Sequence, residues 1–280
     1  MLVDPLKLRL FMNLPPRKKL ALDHRLVEAA RRGDAPQISS LLEQGANPGA
    51  EDSKALQAAA QQGHVQCVKL LLPSSNPMAR QSYALRSAAS AGHVECVKIL
   101  IPVSDPLALD SNALQMAAAN GRKKCVELLI PASNPEADGS LALCSAAGNG
   151  HAQCVALLIP VSDPKAKDSK ALLRAAEQGH VECVNALLPV SRPIGPNCPI
   201  FMAAFCSGAI DVVEAIFDHD PSLATLVDLR ELNLTLSAPE AQFRRPTPAV
   251  LDALVAKIEA LCFELSLPVS DEKSHPRPRL

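Results

Sequence analysis

Aromatic residues are nearly missing from this chain. It has no tryptophan, one tyrosine and six phenylalanines in 280 residues. Stacking platforms for single-stranded nucleic acid need aromatic faces, so the composition argues against that mode of binding. Charge of either sign is not in excess: 28 Lys and Arg stand against 29 Asp and Glu. Neither a nucleic acid nor a membrane surface finds a basic field to dock on. No apolar run reaches the roughly 18 residues of a membrane helix. The opening stretch MLVDPLKLRL is interrupted by Asp4, Lys7 and Arg9, so it does not read as a secretory signal. A cytoplasmic protein is expected, with signal-independent export left open. Glycine is scarce as well, at 12, and no phosphate-cradling glycine loop, paired-carboxylate motif or G-x-S-x-G elbow is present. No catalytic residue and no cofactor is predicted.

What the chain does have is repetition. The stretch Ser82 to Asp110 reads SYALRSAASAGHVECVKILIPVSDPLALD, and the same pattern starts at Ser53, Ser111, Ser140 and Ser169. The step is 29 residues each time, a period that signals stacked structural units. Hydrophobic residues make up 48% of the chain, enough for a core, and that core must be aliphatic and small.

Each unit predicts two short helices. Leu56, Ala59 and Ala60 share one helical face, as do Val65, Val68, Leu71 and Leu72. The serine before the first helix stands where an N-cap hydroxyl is expected. Gly63, with its equivalents at each 29-residue step, is placed to end that helix in a left-handed cap. Pro73 and its equivalents end the second helix, and a second proline at Pro77 stiffens the turn that follows. Helices this short are not stable alone, so stability must come from neighbouring units.

The first unit is a variant. Leu26 to Asp34 (LVEAARRGD) aligns with Leu56 to His64 at a step one residue longer, and Leu41-Leu42-Glu43-Gln44-Gly45-Ala46-Asn47-Pro48 follows. The run A-A-x-x-G-[HD], then paired leucines, then G-A-N-P, resembles an ankyrin repeat. The resemblance covers residues 24–221. It implies an all-α, ankyrin-type helix–turn–helix solenoid of six or seven units. The usual ankyrin unit has about 33 residues and a T-P-L-H tetrapeptide. Here the tetrapeptide is Lys54-Ala55-Leu56-Gln57. The missing residues fall where the family places the tip of its β-hairpin finger, so shortened fingers with little or no strand are expected.

The flanks leave the pattern. Residues 1–23 are expected to be a leader flap, with Pro15-Pro16 breaking any helix. Residues 24–221 form the array, and 222–280 a helical C-terminal cap with a disordered tail. Within that cap, Ala249 to Leu265 has helical periodicity. Gly208 keeps the 29-residue step, so 198–221 is expected to be a variant last unit.

His64/Cys67, His93/Cys96, His151/Cys154 and His180/Cys183 form a recurring H-x-x-C, a spacing zinc can use. Each unit offers only two ligands, and Arg122 replaces histidine in the third. Equivalent ligands on neighbouring helices start from axes about 8–10 Å apart. The cysteines are therefore expected to be small buried hydrophobes, and no metal site is predicted. Nine cysteines without a secretory signal suit a reducing compartment.

Recognition must then lie at positions that vary between otherwise similar units. One is the residue after the serine: Lys54, Tyr83, Asn112, Leu141 and Lys170. Others are Gln57, Arg86, Gln115, Cys144 and Leu173, then Ala58, Ser87, Met116, Ser145 and Arg174. The resemblance implies that first helices and turns line a concave face presented to partners. Tyr83, Arg86, Met116 and Arg174, with Lys54, Asn112 and Lys170, are the predicted partner-binding residues, since aromatic, Met and Arg side chains are enriched at interfaces. The expected function is protein–protein interaction by a monomer, with no chemistry of its own. A regulatory inhibitor or exported effector is the alternative, and a metal- or redox-responsive Cys/His protein is a third reading.

Overall fold

The computed structural model describes residues 15–191 and 199–221, with helical positions at 252, 253, 255, 256, 259, 260 and 263. Residues 1–14 of the expected leader and most of the expected cap lie outside these. The chain divides into two compact units, Met1–Ala171 and Leu172–Leu280, with the boundary inside one helix.

The first unit is a run of helix pairs: α1 (Pro16–Arg32) with α2 (Ala35–Glu43), α3 (Ala50–Gln62) with α4 (Val65–Leu71), α5 (Ala79–Ala91) with α6 (Val94–Leu100), α7 (Ala108–Ala119) with α8 (Lys123–Leu129), and α9 (Ala137–Gly148) with α10 (Ala152–Leu158). Helix α11 (Ala166–Glu177) crosses the boundary. The second unit continues with α12 (Val181–Leu187), α13 (Pro199–Ser207) and α14 (Ile210–His219). No strand occurs among the described residues, as the shortened period predicts.

First helices stack on first helices (α3 on α5, α5 on α7, α7 on α9) and each packs on its own second helix. The Ala-Ala pair makes this possible. Ala88 and Ala89 are wholly buried, as are Ala117 and Ala118, and the small side chains let backbones approach. Leu85, Val97 and Leu100 fill the space between, also with no exposure. Burying each such side chain contributes roughly 1.5–3 kcal/mol. In the second unit phenylalanines take over: Phe201 lies 6.3 Å from Phe205 and meets Phe217 edge-on at 5.7 Å.

The glycine stop is where the sequence places it. Gly92 has φ +90° and closes α5 with its N–H on the carbonyls of Ala88 and Ala89. The second helices end in a 3₁₀ turn that carries the proline, as at Leu72–Ser74.

Two expectations need correction. Residues 16–23, expected as the end of the leader, are helical: Pro16 starts α1, where a missing N–H costs nothing. The expected leader's last residue, Asp23, holds the turn of the first repeat, its carboxylate accepting the Asn47 N–H at 2.7 Å.

The recurring serines are not N-caps. Each is the last of three consecutive residues with left-handed backbone: Glu51–Ser53, Arg80–Ser82, Leu109–Ser111, Asp138–Ser140 and Lys167–Ser169, at φ +47 to +66°. A left-handed turn costs about 1–2 kcal/mol per non-glycine residue, so it persists only where its surroundings hold it. The middle position is Asp52, Gln81, Asp110, Gly139 or Asp168, mostly types that tolerate this conformation. These serines are at most 2% exposed, and in the first four the hydroxyl turns inward and accepts a backbone N–H from the turn after the second helix. The bonds are Asn76 N–H to Ser53 Oγ at 2.7 Å, and Asp105, Asn134 and Asp163 N–H to Ser82, Ser111 and Ser140 Oγ, each at 2.8 Å. The donor residue's own side chain closes an Asx turn over the following proline, as Asp105 Oδ1 does with the Leu107 N–H at 3.0 Å. One left-handed turn thus replaces the finger and shortens the period.

Ser82→Ala would leave the Asp105 N–H without its acceptor. The expected loss is about 1–3 kcal/mol, the desolvation cost of one unsatisfied buried group, read from urea unfolding; an unchanged midpoint would show that the hydroxyl does not hold the turn.

Candidate partner-binding groove

The first-helix face of the first unit carries two small adjoining clefts that share Gln61 and Tyr83. One, about 190 Å³, is lined by Arg31, Lys54, Gln57, Arg80 and Tyr83 among others. The second, about 220 Å³, is lined by Tyr83, Arg86, Ser87, Asn112 and Met116 among others.

Tyr83 sits at their junction because it follows the buried Ser82, so the left-handed turn fixes where its side chain leaves the backbone. Two guanidinium groups approach its ring, Arg86 at 5.4 Å and Arg80 at 5.9 Å from the centroid. Arg86 is tied down from three sides. Its Nε donates to the Gln81 carbonyl at 3.0 Å and Nη2 to the Arg80 carbonyl at 3.0 Å. Its Nη1 donates to Asn112 Oδ1 in the next repeat, at 3.2 Å. Both carbonyls belong to left-handed residues, which is what turns them toward the helix that follows. Gln57, one repeat earlier, uses the same geometry, with Nε2 donating to the Asp52 carbonyl at 2.7 Å. Asn112 is itself fixed by donating to Gln115 Oε1 at 3.0 Å.

Of the seven residues singled out from sequence, Tyr83, Arg86, Asn112 and Met116 come together on one cleft, with Lys54 on the adjoining one. Lys54 pairs with Glu51 at 2.7 Å, and that bond is the main cause holding the Glu51 carboxyl below its ordinary range. Lys170 and Arg174 lie on α11, outside both clefts. They keep the register of Asn112 and Met116 two repeats on, and Arg174 approaches Glu177 at 3.6 Å. Gln61 belongs to the pair before the glycine that varies between repeats, whereas Arg80 was not singled out from sequence. Arg80 stands in the short stretch after Asn76-Pro77, where the repeats also differ (Glu51, Leu109, Asp138, Lys167), and that variation was the available signal.

The H-x-x-C pairs serve the stack. His64 Nε2 donates to the Arg31 carbonyl at 3.1 Å, His93 to Gln61 at 3.0 Å and His151 to Ala119 at 3.1 Å. Arg122, where histidine is replaced, makes the same bridge with Nε on the Ser90 carbonyl at 3.1 Å. Each ring also lies against the preceding repeat's glycine: a Cβ on Gly33 would come within 2.6 Å of His64 Nδ1. The cysteines are buried beneath, and burial pushes their thiols up, Cys96 to about 11, with Glu95 adding to the effect. Cys67, Cys125 and Cys154 move the same way, chiefly from burial. Thiols held protonated are poor nucleophiles.

Residues 26–110 and 102–168 match the family model for ankyrin repeats in three copies, and the chain belongs to the ankyrin repeat family. Its structure is similar to the crystal structure of the human ASB11 ankyrin repeat domain, with a TM-score of 0.59 and 22% identity over 70% of this chain and 97% of that one. No curated protein matches the sequence significantly. Ankyrin repeats are in general non-catalytic protein–protein interaction modules. Among the described residues, no helix is long and apolar enough to cross a membrane.

The thiols generate a pH dependence. An unfolded cysteine ionises near its ordinary value of about 8.5, while folded Cys96 keeps its proton to about 11. Its contribution to stability is therefore complete below that lower value and is lost as pH rises through this window. Cys96→Val, which takes the residue found at the equivalent Val212, is expected to flatten the alkaline fall in the urea midpoint relative to wild type. Parallel curves would refute the burial argument.

Proposed function

We propose that this protein binds a partner protein through the groove centred on Tyr83, and performs no chemistry of its own. The observation that carries the proposal is the immobilised Arg86. Its guanidinium is held by two turn carbonyls and Asn112 of the next repeat, beside the chain's single tyrosine. A rotamer-rich side chain fixed before binding loses less entropy on complex formation. Tyrosine and arginine are also the side chains that dominate interface energetics. Met116, 36% exposed, adds an adaptable apolar surface at the same place. Lys170 and Arg174 hold the sequence positions equivalent to Asn112 and Met116 and are proposed as further binding residues on that ground alone.

A photo-crosslinking side chain placed at position 116 should give a discrete protein adduct in cells, whereas the same group at Glu95 on a second helix should not. Combined alanine substitution of Tyr83, Arg86, Met116 and Arg174 should abolish capture of that adduct partner. Capture that survives the combined substitution would overturn the assignment of this face.

A further inference from the structure

We infer that the segment seated in the Tyr83 groove is an acidic peptide strand of the partner protein, with carboxylates directed at Arg80 and Arg86 and an apolar side chain against Met116. The inference rests on the partner-binding reading above and adds the chemistry of what is bound.

Charge carries the argument. The whole chain is almost neutral, at a formal net charge of −1. The two clefts are not: Arg31, Lys54, Arg80 and Arg86 line them, and no Asp or Glu does. Two of these cations are offset by acids outside the clefts, Arg31 by Glu28 at 3.1 Å and Lys54 by Glu51 at 2.7 Å. Arg80 and Arg86 pair with no carboxylate among the described residues. They flank the same aromatic ring, so two uncompensated positive charges are concentrated at the point where the clefts meet.

Arg86 has the geometry to use that charge. A guanidinium carries five N–H donors. Three of those on Arg86 are spent on Gln81, Arg80 and Asn112, which fix the plane and leave two for a ligand. Charge-assisted bonds from a fixed guanidinium favour carboxylate over a neutral amide. The neighbouring Tyr83 ring and Met116 give the second cleft an apolar floor beside the cation, which suits an acidic strand interrupted by an apolar residue.

Fluorescence anisotropy on the full chain tests this with three labelled probes: a short peptide of Glu and Asp around a central Leu, its Gln and Asn counterpart, and an oligo-dT. The acidic peptide should bind and weaken as salt rises, and the other two should bind far more weakly. Arg80→Gln breaks no hydrogen bond of the fold and should weaken the acidic peptide about tenfold, the loss of roughly one charge-assisted contact. Arg86→Gln, with its thermal melt checked, should do at least as much, while Lys98→Ala on the second helix of that repeat should change nothing. No binding of the acidic peptide, equal binding of the amide peptide, tighter binding of oligo-dT, or indifference to Arg80→Gln would each overturn the inference. A protein adduct at position 116 whose seated segment is neutral or basic would also overturn it, while leaving the groove's role in partner binding intact.

Discussion

Three consecutive residues with positive φ are costly in a chain of L-amino acids, and each close repeat of this protein contains such a run. What holds it is a hydrogen bond from the turn after the second helix to a buried serine hydroxyl, as from Asp105 N–H to Ser82 Oγ at 2.8 Å. The bond joins the beginning of a repeat to its end. Around it the polypeptide reverses in one left-handed turn, and the hairpin finger of the usual ankyrin unit is not needed. The 29-residue period, the spacing of the Ala-Ala pairs and the register of the stack follow from that closure.

The same turn prepares the groove. In a right-handed first turn the carbonyls of Arg80 and Gln81 would point along the helix and bond within it. Left-handed, they face the Arg86 guanidinium and hold it. A structural device that shortens the repeat therefore also immobilises a charged side chain beside Tyr83. The histidine ladder has the complementary task on the other end of the first helices. Imidazoles from one repeat bond carbonyls of the repeat before, so one orphan acceptor near the C-terminus of each of these first helices is satisfied across the stack.

Much of this was legible in the residues. The period placed the helix pairs, the alanine and leucine positions placed the core, and the glycine placed the helix stop. The prediction of little strand came from counting the residues missing before Lys54. The serine was misassigned for a physical reason: a hydroxyl residue just before an apolar helical pattern is a strong cap signal, and nothing local distinguishes a hydroxyl facing its own helix from one facing a turn 23 residues on. Asp23 was hidden because it does with a carboxylate, one residue out of step, what serine does elsewhere. Tyr83, Arg86, Asn112 and Met116 could be picked by variation between repeats. That they share a cleft, and that Arg80 joins them, depends on backbone torsions the sequence pattern does not encode.

The left-handed turn is the claim on which the rest depends, and solution NMR addresses it directly. Residues with positive φ bring their own amide and α protons close together, whereas helical and extended residues do not. Strong intraresidue amide-to-α NOEs at Arg80, Gln81 and Ser82, and again at Leu109, Asp110 and Ser111, are the expected result. Weak NOEs at these six positions, with shifts typical of right-handed helix or strand, would contradict it.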